Sequence, residues 1–240
     1  MSKITIGVLS KAGKSGKSTL AKQLIAPILH ADWIQIETFN EIGAGASATI
    51  GGRKLGLIAE AMALQLSNKV FDIGISNYES AMKEIEQIDG FASEVNFWVI
   101  PAQPIIGHIN ETLSTIADLI DRIGVDPSKI VVIPNSVERP EEGLEDDYQA
   151  IISASKEFGF HFVDACIVQN PIFEKLASNE RSIIEIADEQ IDYSALISAE
   201  SDTAKKATLA AEKTVQSRAK FLARNLRGVW AASPLSILTA

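Results

Sequence analysis

The 240-residue chain is short of several residue types, and each shortage excludes something. Cys166 is its single cysteine, so no disulfide closes within the chain and no cysteine cluster holds zinc. A lone thiol of this kind reads as a small buried hydrophobe. The three histidines form no metal cluster, and none is spaced with a carboxylate and a nucleophile for catalysis; His161 reads as structural. No apolar run is long enough to span a bilayer and no charged-then-apolar leader opens the chain, so the cytoplasm is the expected compartment. Internal repeats and low-complexity segments are absent from the sequence. The net charge of −9 argues against a general nucleic-acid binder.

What is present is enough apolar residue, 46 %, for one α/β domain with a sizeable core. The charge is uneven. Residues 201–230 hold seven basic residues against two acidic ones, which marks the tail as a segment with its own job. The chain is therefore divided into a domain over 1–200 and a basic amphipathic helix with its tail over 201–240.

One stretch organises the rest. Lys11, Ala12, Gly13, Lys14, Ser15, Gly16, Lys17, Ser18 and Thr19 follow an alternating apolar run, Ile4 to Leu9, and precede a helical pattern up to Leu29. Strand, small-residue loop and helix are the setting of a phosphate-binding loop. Gly13, Ser15 and Gly16 let the backbone turn so that its N–H groups converge on an anion. The helix start adds its positive dipole end. Lys17 would then reach the outer phosphates, and Ser18 would offer its hydroxyl to magnesium. The pattern departs from G-x-x-x-x-G-K-[ST] in having Lys11 where glycine is usual.

Further along, Trp33 to Glu37 reads as a strand that ends in Glu37, Thr38, Phe39 and Asn40. Glu37 and Asn40 become candidates because ligands gather at the carboxyl ends of parallel strands. Gly43 to Gly52 holds four glycines and suits a segment that responds to a γ-phosphate. Lys69 to Ile73 delivers Asp72 at a strand end, as a magnesium-shell carboxylate or as a cap for the next segment. Val95 to Ile100 and Lys129 to Ile133 are strands, and the second delivers Asn135. Its amide could bond a purine edge through both groups or satisfy a turn. Phe160 to Ile167 is expected as a last strand, with Pro171 opening a short helix. About six strands alternating with helices imply a doubly wound, mostly parallel sheet covered on both faces.

From Thr203 to Val229 one long helix is expected, with Leu209, Val215, Phe221, Leu222, Leu226 and Trp230 on one side. It packs back on the sheet, or holds a partner or DNA backbone, or lies on an anionic membrane surface. Residues 231–240 dock in a groove or fray.

With these pieces in order, the chain resembles the ParA/MinD superfamily of deviant P-loop ATPases, a SIMIBI-like P-loop NTPase fold. More narrowly it is similar to the StbB/TraL proteins of conjugative plasmids. The basic-apolar ending from Phe221 to Gly228 is similar in character to that group. The resemblance implies ATP and Mg2+ as cofactors, held over residues 11–19. Lys17 and Asp72 would act in hydrolysis, with Asp72 in the Walker B position. Ser18, Asp72 and Glu37 would face the metal, Asn135 the adenine, and Pro171 the segment closing over the base. The family's signature lysine, five residues before the loop lysine, falls on Ala12, with Lys11 beside it and Lys14 inside the loop. No aspartate in Gly43 to Gly52 matches the family's water-orienting one, so turnover is expected to be slow or partner-stimulated. The implied role is plasmid stability, DNA positioning or conjugative transfer, as a nucleotide-dependent homodimer working with a small DNA-binding partner protein. The rival readings are a nucleotide-gated adaptor with negligible turnover and a small-molecule kinase or synthetase on the same fold.

Overall fold

The computed structural model describes residues 3–36, 46, 48–50, 56–64, 66–176 and 179–239. Among them are eight strands: β1 Thr5–Val8, β2 Asp32–Ile36, β3 Ala48–Ile50, β4 Lys69–Ile73, β5 Phe97–Ala102, β6 Ile130–Val137, β7 His161–Phe162 and β8 Ile167–Val168. They run parallel in the order β3-β2-β4-β1-β5-β6-β7, with β8 paired to β6 beyond β7. Sequentially distant strands sit side by side because helices cross over the sheet between them. β1 lies between β4 and β5, so the order reverses at its carboxyl end, where such sheets open a crevice.

Both faces are covered. One is packed by the first helix, residues 17–29, and by the second half of the long C-terminal helix, through Leu20, Leu24, Leu222, Leu226 and Val229. The other is packed by helices Gly56–Ala63, Tyr78–Gln87, Ile106–Ala117 and Glu145–Phe158, around Phe71, Trp98 and Tyr148. The Phe71 and Trp98 rings meet edge to face at 5.5 Å. Gly7 stands between them because a Cβ there would fall 2.6 Å from the Trp98 ring. The first helix widens to π-type turns over Leu20–Ile25, directly before Pro27, whose missing N–H and bulky ring disfavour tight turns.

Three expectations need correction. Phe160 to Ile167 is not one strand but β7 and β8, which pair different stretches of β6 across a register shift. Phe160, Val163 and Cys166, buried just before and between them, recur every third position, which a flat strand does not permit. Part of the glycine-rich stretch is β3, paired to β2 with Ile34 opposite Ala48. The rest of it lies outside the described residues. Phe221 is 57 % exposed and leaves the apolar stripe, which runs instead through Ala219, Leu222, Ala223, Leu226, Val229 and Trp230.

The long helix spans Thr203–Ala232 and is capped by Asp202, whose carboxylate accepts from the Ala204 and Lys205 amides. Its first twelve residues are mostly exposed, whereas its second half is core. The chain end docks: Leu235 is fully buried, and the Trp230 indole N–H donates to the Thr239 hydroxyl at 3.2 Å. Among the described residues no helix is long and apolar enough to cross a membrane.

Candidate functional site

The loop after β1 turns through two left-handed residues, Lys14 at φ 58° and Gly16 at φ 98°. Gly16 then caps the first helix. The first amides of a helix have no partner within it, so this end presents donors. Only glycine fits at 16, since a Cβ there would fall 2.0 Å from the Asn135 amide nitrogen. Lys17 is 8 % exposed, and its ammonium turns back to the loop, donating to the Ala12 carbonyl at 3.0 Å. The Ser15 hydroxyl is buried in the loop without a hydrogen-bond partner among the described residues.

β4 brings the carboxylate. Val8 is in register with Asp72, so the end of β1 and the penultimate residue of β4 lie side by side just below the loop. The Ser18 hydroxyl donates to Asp72 at 2.6 Å across 54 residues of sequence. Asp72 is 2 % exposed. Ser18, Asp72 and the loop amides thus surround one place, and their oxygens suit a hard cation such as Mg2+.

Asn135, at the end of β6, is 5 % exposed and donates its amide N–H to the Ser15 carbonyl at 2.8 Å. That bond props the loop and commits the nitrogen, so a purine contact through both amide groups would require breaking it. Gln103, just past β5, props the loop from the other side by donating to the Lys14 carbonyl at 3.0 Å. Beside the loop lies a cavity of about 220 Å³ lined by Lys14, Gly16, Thr19, Asn135 and Pro171, among others. Pro171 caps the short helix Ile172–Lys175 on its far wall.

Lys11 goes elsewhere. Its ammonium pairs with Asp118 at 2.8 Å and also donates to the Ser114 hydroxyl at 2.8 Å. It lies 5.5 Å from the centre of the Tyr78 ring. Burial and the Asp118 carboxylate push the Tyr78 phenol up, and it donates to Asp118 at 3.1 Å. Lys14 is exposed. Glu37 and Asn40 lie outside the described residues; the strand leading to them ends with Ile36 opposite Ile73, one residue past Asp72.

Two residues that sequence reasoning passed over belong here. Gln103 sits between Pro101 and Pro104, where it read as a strand end. Asn77 is 3 % exposed and donates to the Ile36 carbonyl at 3.4 Å, tying the segment after β4 to the end of β2. Neither carries a motif; only the adjacency of strand ends reveals them. Burial pushes the Cys166 thiol up, in keeping with a hydrophobe.

No family model and no curated protein matches the chain. Solved structures do. An ATP complex of a McdA variant from Cyanothece is similar at TM-score 0.53 and 14 % identity, over 96 % of each chain. MinD cell division protein from Aquifex aeolicus is similar at TM-score 0.51 and 12 % identity, over 78 % of this chain and 90 % of that one. The MinC:MinD complex of the same organism gives TM-score 0.52 and 13 % identity, over 76 % and 88 %. Likeness at this identity speaks for architecture: the chain has the α/β fold of the ParA/MinD-type P-loop ATPases, with a long C-terminal helix.

Proposed function

We propose that this chain is a nucleotide switch that binds and hydrolyses ATP with Mg2+. The observation that carries the reading is the 2.6 Å contact between Ser18 and Asp72, which brings a loop hydroxyl and a strand-end carboxylate, the two oxygen donors a phosphate-bound metal would use, to one place. In this reading the amides of residues 13–19 cradle the phosphates and Lys17 leaves the Ala12 carbonyl to meet the outer ones. Ser18 and Asp72 hold the metal, and Glu37 is assigned to it as a further oxygen donor. Bound magnesium would neutralise charge developing on the transferred phosphoryl group. Asn135 keeps the loop in shape and turns its carbonyl oxygen to the base, over which Pro171 closes. No covalent nucleophile is required; positioning and charge neutralisation suffice.

The switch works as a homodimer. Lys11 is tied to Asp118, while the Lys14 ammonium has no partner among the described residues, so Lys14 is the basic group available for a second subunit. The solved McdA relative holds ATP, and the Aquifex MinD is seen with MinC, which supports a nucleotide-gated partner protein here too. We place the role in plasmid stability, DNA positioning or conjugative transfer, in the cytoplasm, with a small DNA-binding partner. Residues 203–230 supply a basic surface for non-specific DNA or a membrane face, since their first half stands clear of the core.

Equilibrium ATP binding to Lys17→Ala tests the reading. Losing a hydrogen bond to a charged group removes about 1.5–3 kcal/mol, so affinity should fall about tenfold to a hundredfold. Unchanged ATP binding would remove it. Sedimentation with ATP, ADP and no nucleotide should give a dimer in ATP alone.

A further inference from the structure

The amino edge of the same sheet carries a second polar constellation. Thr5 is in register with Lys69, and the Asn96 backbone N–H donates to the Thr5 carbonyl at 2.9 Å. Strand alternation sets all three side chains on one face: Lys69 lies two residues before Phe71, Asn96 two before Trp98, and Thr5 two before Gly7, which packs under both rings. They form a row across β4, β1 and the start of β5, at about 4.8 Å per strand. The row lines a cavity of about 290 Å³, with Ser67, Met62, Lys3 and Glu94 around it.

Lys69 is 4 % exposed, yet no ion pair reaches it among the described residues. Its ammonium donates to the Ser67 carbonyl at 2.9 Å and the Ser67 hydroxyl at 3.3 Å, leaving one N–H. Asp32 is in register with Lys69 on β2, and its carboxylate accepts from the same Ser67 hydroxyl, so it stands beside the ammonium without an ion pair to it. Glu94 is exposed and makes no ion pair with Lys69; Lys3 is exposed and adds positive charge. The Asn96 carbonyl oxygen is spent on the Thr5 amide at 2.7 Å, which leaves its NH2 group. The Thr5 hydroxyl stands between the two. A buried ammonium with no carboxylate in ion-pair contact is costly, and on its other side the Thr5 hydroxyl and the Asn96 NH2 group can donate.

We propose that this edge binds a small oxyanion, a carboxylate or a phosphate, at the opposite end of the sheet from the nucleotide cradle. Lys69 supplies the charge, and Thr5 and Asn96 fix the orientation. The experiment is a 1H–15N NMR titration of the full chain with inorganic phosphate and with acetate, at constant ionic strength set by chloride. Saturable shifts at residues 67–69 and 94–96 with either anion uphold the site. The anion that saturates at the lower concentration names the chemistry. Lys69→Met should weaken that binding at least tenfold. Non-saturating shifts with both anions, or undiminished binding by a folded Lys69→Met, overturn the site. If Lys69→Met does not fold, the Lys69 side-chain 15N signal of the parent decides: a saturable shift upholds the site and a fixed signal overturns it. Phosphate also perturbs residues 13–19, and those signals are not counted.

Discussion

The two edges of the central strands end in opposite chemistry. At the carboxyl edge Asp72 is met by Ser18, and Lys17 by the Ala12 carbonyl, so each charged group already has a protein partner that a ligand would displace. At the amino edge Lys69 is equally buried, and its hydrogen bonds among the described residues go to neutral Ser67, with the Asp32 carboxylate one relay away. The first edge is made by a loop of fixed backbone shape, the second by register alone. A loop held at a positive φ tolerates little change at its glycine, whereas a row of side chains can lose one member and keep its frame.

The largest effect removes the support common to both edges. A chain ending after Ile197 loses Leu222, Leu226, Val229 and Trp230, all buried against the sheet. Each such leucine is worth about 2–5 kcal/mol, so the truncated chain should not refold, as circular dichroism and solubility would show. A folded, soluble product would mean that the second half of the helix is dispensable.

Next comes the cradle. Gly16→Ala forces a left-handed alanine, costing about 1–2 kcal/mol, before its clash with Asn135 is counted. Chemical denaturation should show that loss together with weakened ATP binding. Parental values for both would break the contrast, since the carboxyl edge would then be as tolerant as the other. Smallest is Lys69→Met. Removing a buried charge that lacks an ion pair should leave stability within about 1 kcal/mol of the parent or above it. ATP affinity should not move, because the substitution lies at the far end of β4. A large loss of either would mean that the two edges are coupled.

Much of the carboxyl edge was legible before the fold. Gly16, Lys17 and Ser18 are adjacent, and their chemistry depends on backbone dihedrals and a helix start that neighbouring residues dictate. The alternation of apolar runs with helical patterns likewise carried the parallel, doubly wound sheet. The split of residues 160–167 into two strands was not legible, because it follows from which stretch of β6 each half can reach. The stripe on the C-terminal helix was read one position out at Phe221, since a helix pattern alone does not say which side the sheet will occupy.

By itself, then, the sequence determined the turn of small residues between the first strand and the first helix and the layered α/β plan, because both rest on interactions between residues close along the chain. Only the tertiary structure decided that the Asn135 amide props the loop across 120 residues, that Lys11 is spent on Asp118, and that Thr5, Lys69 and Asn96 share one row. Those pairings depend on strand order and register, which are set by packing both faces of the sheet at once and leave no mark in any local stretch of chain.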